Sequence, residues 1–192
     1  MHPATHLLMS WSVAESIQLR PRDRFLVTAA GVVPDIDGFG ILAELATRDS
    51  SRPLYWWSEY HHVVCHNLGF GLLTVAGVAI LSRRRAFSTG LALLAFHLHL
   101  LGDLVGSRGP DGYQWPIPYL LPFSDRGQLT WDGQWALNAW PNVCLTLALL
   151  SWTLYLAWRR GYSPVGCLST RADEAFISTL RARFGEPRAP HV

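Results

Sequence analysis

The sequence contains no lysine, and all sixteen of its basic residues are arginines. Charged residues make up only 16% of the chain, whereas soluble domains average roughly 25%. Because the arginines occur in short clusters between apolar segments, no long basic stripe indicates a nucleic-acid surface, and no nucleic-acid partner is expected. Three cysteines, Cys65, Cys144 and Cys167, form neither a disulfide framework nor a cysteine-rich zinc motif. The first residues lack a basic region and a small-residue cleavage site, so no cleaved signal peptide is expected.

The sequence is instead rich in apolar and aromatic residues. Hydrophobic residues make up 49%, nine are tryptophan, and the mean hydropathy is +0.15. Three apolar segments have about the length of a membrane-spanning helix, which needs about 20 residues. They are Val63–Leu81, Ala86–Gly106 and Asn142–Trp158. Two shorter apolar stretches before residue 34 either cross the membrane partly or pack inside a bundle.

These segments predict an all-α, membrane-embedded bundle of about four to five helices over residues 1–162. The membrane lipid is its expected partner. Residues 163–192 are expected to form a cytoplasmic tail that is amphipathic or partly disordered. Within this tail, a capping pattern at Thr170 and Asp173 predicts a helix over Thr170–Phe184.

A histidine and a carboxylate interrupt the apolar segment Ala86–Gly106. His99 and Asp103 are four residues apart, so a helix places them on one face, where they could bind one metal ion from the same side. Both side chains are costly to bury unless they are paired, neutralised or bound to a metal. A structural His–Asp hydrogen bond is the simpler alternative.

The arginine clusters predict the orientation of the chain. Clusters at residues 20–24, 83–85 and 159–160 are expected on the cytoplasmic side. Tracing the helices between the clusters brings the polar candidates to the opposite end of the bundle. These candidates are His6, Asp35, Asp37, His61, His62, His66, His99 and Asp103. The sequence therefore predicts a site near the non-cytoplasmic face of the cytoplasmic (inner) membrane.

Histidine and carboxylate donors without cysteine suit a divalent metal, with Zn²⁺ favoured and Mn²⁺ or Fe²⁺ as alternatives. The predicted metal ligands are His6, Asp35, His66, His99 and Asp103. Asp37 and His61 are the predicted catalytic residues, with Asp37 or Asp35 as a general base that takes a proton from an activated water. Other aromatic residues are interpreted as interfacial or structural: His2, His62, His97, Trp56, Trp57 and Trp115.

Five segments, in order over residues 1–126, resemble motifs of the predicted bacterial membrane-bound metal-dependent hydrolases. This family includes the LexA-binding inner-membrane hydrolase. Met1–His6 is similar to its Thr-His opening, and Val33–Asp37 to its Pro-Asp-x-Asp segment. His61–Asn67 is similar to its His-Arg-Gly-x-Thr-His-Ser motif, and His99–Asp103 to its His-x-x-x-Asp motif. Trp115–Asp125 is similar to its Pro-Phe loop.

Three positions depart from the family pattern, because His62 stands for its arginine, Cys65 for its threonine and Asn67 for its serine. The resemblance implies an α-helical fold similar to zinc-dependent phospholipase C, and hydrolysis of a phosphoester by metal-activated water. The predicted position of the site in the membrane suits a lipid or lipid-linked phosphoester. One alternative is a non-catalytic membrane protein with a structural or regulatory metal site. A purely structural helical bundle is another.

Overall fold

The computed structural model describes residues 1–109 and 112–187. The described residues form an all-α fold, which confirms the predicted fold class. The helices are α1 (Pro3–Ala14), α2 (Pro21–Ala30), α3 (Gly40–Thr47), α4 (Trp56–Tyr60), α5 (Leu68–Leu81), α6 (Arg85–Gly106), α7 (Trp140–Arg160) and α8 (Thr170–Phe184). Two 3-10 helices, Val33–Phe39 and Pro164–Cys167, and a short antiparallel pair, β1 (Ile117–Pro118) with β2 (Gln128–Leu129), complete the described part.

Helix α6 is the central element because it packs against α1, α2 and α5, while α7 packs on α1. Its buried face carries small residues towards α2 and larger ones towards the β1 segment. Ala95 packs with Val27 of α2, and Phe96 and Leu100 pack with Ile117. The polar residues on this same face of α6 are therefore held in the interior of the bundle.

Two helices are long and apolar enough to cross a membrane, α6 with 22 residues and α7 with 21 residues. They correspond to two of the three spans that the sequence predicts. Helix α2 and the segment Val33–Thr47 qualify together as a third, broken span that is bent by 54°. The bend lies at Gly31 and Val32, and Pro34 stands in the first turn of the 3-10 helix that follows, where a proline is tolerated.

The prediction of one continuous span over Val63–Leu81 is wrong. Helix α5 begins only at Leu68 and has 14 residues. Asn67 is its N-cap: its side-chain oxygen accepts from Phe70 N at 2.9 Å, and its amide group donates to the carbonyls of Val63 and Val64. These bonds turn the preceding segment away from the helix axis. The sequence also does not predict the short helices α3 and α4 as separate elements.

The three arginine clusters meet at one end of the bundle. Asp23 of α2 accepts hydrogen bonds from the backbone N–H groups of Arg83 and Arg84, at 2.9 and 2.8 Å. Glu15 pairs with Arg24 at 2.7 Å and with Arg160. His99 lies farther along α6, about 21 Å from its first residue at 1.5 Å per residue.

The segment between α6 and α7 closes the other end of α6. Its groups donate to the carbonyls of the last turn, which have no partner within the helix. Gln134 Nε2 donates to Asp103 O at 2.9 Å, Trp135 N to Val105 O at 3.0 Å, and Asn142 Nδ2 to Gly106 O at 2.8 Å. These bonds fix the turn that carries Asp103.

Helix α8 has the bounds that the sequence predicts, Thr170–Phe184. The cap differs in detail. Ser169 accepts from Ala172 N, whereas Asp173 accepts from the backbone and hydroxyl groups of Ser163. Asp173 thus ties α8 to the turn that follows α7.

Candidate metal centre

His99 and Asp103 lie on the buried face of α6, and their side chains are 0% and 1% exposed. His99 Nδ1 donates to the carbonyl oxygen of Gly31 at 2.9 Å. Because Nδ1 carries the proton of the neutral ring, Nε2 presents its lone pair, and this atom lies 3.0 Å from Asp103 Oδ2. The predicted i, i+4 pair is therefore close, but the two atoms that face each other are both acceptors.

His6 of α1 approaches Asp103 from a second side. Its Nε2 lies 3.1 Å from Asp103 Oδ1, and its ring stacks on His99 with centroids 3.7 Å apart. The approach favours a glycine at position 102, since a Cβ atom there would lie 3.1 Å from His6 Cε1, which is closer than ordinary van der Waals contact. Ser107 Oγ and the nitrogen of Met1 also donate to Asp103 Oδ1.

Asp35 reaches the same centre from the bend after α2. Its Oδ1 lies 3.7 Å from His99 Nε2, and its buried Oδ2 has no hydrogen-bond partner among the described residues. Four possible ligand atoms lie within 4.8 Å of one another, one from each of the residues His6, Asp35, His99 and Asp103. The structure thus brings together four of the five residues predicted as metal ligands in one group.

His66, the fifth predicted ligand, points at the centre from the segment before α5. Its Nδ1 donates to Asp37 Oδ2 at 3.1 Å, and its Nε2 lies 3.3 Å from Asp103 Oδ2 and 3.1 Å from His99 Nε2. Burial alone lowers the pKa of His66, but the hydrogen bonds and charges of Asp103 and Asp37 outweigh it and raise the pKa to about 9. The centre therefore favours a positive charge at this position.

The predicted catalytic residues Asp37 and His61 contact each other beside this centre. Asp37 Oδ1 accepts from His61 Nδ1 at 2.8 Å, and Asp37 Oδ2 accepts from Cys65 N and His66 Nδ1, both at 3.1 Å. A carboxylate that accepts from the second ring nitrogen of a ligating histidine fixes the tautomer and orientation of that ring. Asp37 occupies this position with respect to His66.

The sequence interpretation places His62 at this end of the bundle but gives His62, Trp57 and Trp115 only an interfacial or structural role, whereas all three lie beside the centre. His62 is 5% exposed, and its Nε2 lies 3.9 Å from Asp103 Oδ2. Burial lowers the pKa of His62 well below its usual value, against the opposing effect of Asp103. The Trp115 ring packs edge-on against His61, His62 and Trp57, and Trp57 stacks on His61. The sequence signal for a role of His62 at the centre is its position directly after His61, a predicted catalytic residue.

The other histidines interpreted as structural have local partners. His97 bonds to the Leu93 carbonyl at 2.8 Å and to the Tyr119 hydroxyl at 2.9 Å. His2 caps α1 by accepting from Ala4 N at 3.2 Å. Trp56 lies in α4 with its side chain about half exposed. None of these three is among the residues grouped around Asp103.

The donor set fits a divalent cation. His66 Nε2, His99 Nε2 and Asp103 Oδ2 converge at 3.0 to 3.3 Å, and the Asp103 oxygen has no hydrogen-bond partner among the described residues. Ligands of a tetrahedral ion with bonds of about 2.0–2.2 Å lie about 3.3–3.6 Å apart, which is close to this spacing. Lone pairs that face each other in a buried site need a positive charge between them, either a proton or a metal ion.

Membrane-length helices and a buried histidine–carboxylate centre define an all-α integral membrane protein with a candidate metal site. The chain belongs to the YdjM inner membrane protein family, whose model matches residues 1–171. No curated protein and no solved structure matches it. The membership supports the inner-membrane location predicted from the sequence, whereas hydrolysis and zinc binding go beyond it.

Proposed function

We propose that this protein is a metal-dependent hydrolase of the inner membrane, acting on a phosphoester or lipid-linked substrate. The observation that carries the proposal is the convergence of acceptor atoms from His66, His99 and Asp103 in a buried site. A divalent ion, Zn²⁺ or else Mn²⁺ or Fe²⁺, satisfies these atoms and supplies an activated water and Lewis-acid polarisation of the substrate.

The residues of the chain have distinct roles in this proposal. The residues that would hold the ion are His6, Asp35, His66, His99 and Asp103. The Gly31 carbonyl orients the ring of His99, and Asp37 orients the ring of His66, each by accepting from the Nδ1 atom of that ring. Asp35 is better placed than Asp37 to accept a proton, because its Oδ2 has no partner among the described residues. Both oxygens of Asp37 are already occupied, so we assign Asp37 as a positioning residue.

A lipid-linked substrate suits the position of the centre. The histidines lie in the part of α6 opposite the arginine clusters, at the end of an apolar bundle. Trp57 and Trp115, which pack beside His61, are residues typical of the membrane–water interface. In this proposal the site faces the non-cytoplasmic side and admits a headgroup from the membrane surface.

The burial of the ligands favours one alternative, a structural or regulatory metal site without catalysis. His6, His66 and His99 are fully buried, and among the five proposed ligands Asp35 has the most exposed side chain, at 15%. Structural metal sites are closed, whereas catalytic sites keep one open coordination position. The two functions differ in whether hydrolysis accompanies metal binding.

The test begins with the metal content of detergent-purified protein, measured by mass spectrometry. We expect near-stoichiometric zinc or manganese in the wild type and its loss in His99→Ala and Asp103→Ala. His97→Ala is the matched control, since it removes an imidazole of α6 that bonds Leu93 and Tyr119 instead. A folded wild type that holds no metal and binds no added Zn²⁺ or Mn²⁺ would overturn the proposal.

Hydrolysis is then tested on the metal-loaded protein with a chromogenic phosphodiester. The hydrolase proposal predicts turnover that disappears with chelation and in His99→Ala but persists in His97→Ala. The structural alternative predicts no turnover and a large fall in the melting temperature on chelation. These results separate the two functions.

A further inference from the structure

His62 is buried, strained and only partly satisfied. Its side chain is 6% exposed, and its Nδ1 has no hydrogen-bond partner among the described residues. Its φ angle is +66°, the left-handed region that non-glycine residues rarely adopt. An imidazole held in this way beside a carboxylate points to a ligand that is bound there.

His62 forms a second donor group at the centre. Three possible ligand atoms lie within 4.8 Å of one another, one from each of the residues His62, His66 and Asp103. This group shares only Asp103 with the group formed by His6, Asp35 and His99. Together the two groups contain six side chains, which exceeds the four ligands of a tetrahedral ion.

Asp103 is the residue that the two groups share, and both of its oxygens face imidazole nitrogens. Its Oδ1 lies 3.1 Å from His6 of the first group. Its Oδ2 lies 3.0 Å from His99 of the first group, 3.3 Å from His66 and 3.9 Å from His62 of the second. A carboxylate can bridge two ions about 3.5–4 Å apart, as in two-metal phosphatases and nucleases. Asp103 has the position of such a bridge.

We infer that the centre binds two divalent ions, the second one held by His62, His66 and the bridging Asp103. The inference rests on the metal-binding part of the proposed function, adds His62 as a ligand and assigns His66 to the second ion, as the two groups of donor atoms divide them. Three protein ligands leave the second ion with an open coordination position, which a phosphoryl oxygen of the substrate fits.

The test compares metal stoichiometry in wild type and His62→Gly. Glycine adopts a positive φ angle without strain, so this variant removes the imidazole and keeps the backbone conformation. With Mn²⁺ as the probe, we expect two bound ions per chain in the wild type and one in His62→Gly. The exchange-coupled paramagnetic resonance spectrum of a bridged Mn²⁺ pair should be present only in the wild type. His97→Ala should keep both ions and the coupled spectrum.

Equal stoichiometry in wild type and His62→Gly, whether one ion or two, would overturn the inference and leave the proposed hydrolase intact. A wild type that binds no Mn²⁺ and no Zn²⁺ would overturn both. A single ion that is lost in His99→Ala but retained in His62→Gly would establish the first site alone.

Discussion

Asp37 connects three donors that approach from one side of the centre. It accepts from the rings of His61 and His66 and from the backbone of Cys65. Metal ligands whose second ring nitrogen is held by a carboxylate are pre-oriented and more basic. At the residue scale, metal affinity should therefore depend on Asp37 even though it is outside the two groups around Asp103.

Asp37→Asn should weaken metal binding about 10–100-fold, the usual effect of losing such a partner. The amide oxygen can replace only one carboxylate oxygen, so the amide nitrogen faces a donor in either orientation: His61 Nδ1–H in one, and both His66 Nδ1–H and Cys65 N–H in the other. The dissociation constant is measured by titrating metal-free protein with Zn²⁺ against a chromophoric chelator.

The control for this measurement is Asp49→Asn, which changes an exposed carboxylate that pairs only with Arg48 among the described residues. Asp37→Asn with unchanged Zn²⁺ affinity but no hydrolysis would contradict the positioning role. That result would instead support Asp37 as the general base.

At the scale of elements, the centre requires α1, α2 and α6 to approach closely at Gly31. A Cβ atom at this position would lie 1.9 Å from Ser10 Oγ of α1 and 3.0 Å from the Ala95 carbonyl of α6. The carbonyl of the same glycine accepts from His99. Helix packing and ligand orientation are therefore coupled at one residue.

Gly31→Ala should destabilise the protein by about 1–3 kcal/mol, the usual cost of overpacking, and should also weaken metal binding. The melting temperature in detergent and the Zn²⁺ affinity are measured together. Gly77→Ala in α5 is the matched control, since a Cβ atom there meets nothing within 4 Å. A melting temperature of Gly31→Ala equal to that of the control would contradict the predicted close approach.

The elements that the sequence predicts well are those with long apolar runs or local caps. The sequence predicts α6, α7 and α8 because the signals for these helices lie within each segment. The start of α5 was missed because Asn67, and not hydropathy, decides where the helix begins. The bend between α2 and the 3-10 helix Val33–Phe39 lies at Gly31 and Val32, where the chain packs closely against Ser10 and Ala95, and a hydropathy pattern does not reveal such packing.

The same distinction applies to the site. Helical spacing predicts that His99 and Asp103 share a face, and the alternation of the helices brings His6, Asp35 and His66 to the same end. The proximity of His62 depends on its positive φ angle and on burial by neighbouring segments. Both arise from tertiary contacts between residues distant in sequence, so the sequence alone indicates only an interfacial or structural histidine at the same end of the bundle.

At the scale of the whole molecule, the arginine clusters and the histidine centre lie at opposite ends of α6. The end with Arg83, Arg84 and Arg160 is expected to face the cytoplasm. The segment from Trp115 to Tyr119 packs beside the histidines at the other end and leads into the loop at Asp125. A label on that loop therefore reports the side of the membrane that the centre faces.

Asp125→Cys should react with a membrane-impermeant maleimide in intact spheroplasts, whereas Arg171→Cys in α8 should react only after lysis. Both residues are exposed. The background carries Cys144→Ala and Cys167→Ala, and it keeps Cys65, because burial and the charge of Asp37 raise the pKa of that thiol to about 11 and keep it unreactive. The reverse labelling pattern would place the centre on the cytoplasmic side. The arginine clusters would then not determine the orientation of this chain, and the substrate would have to be sought in the cytoplasmic leaflet.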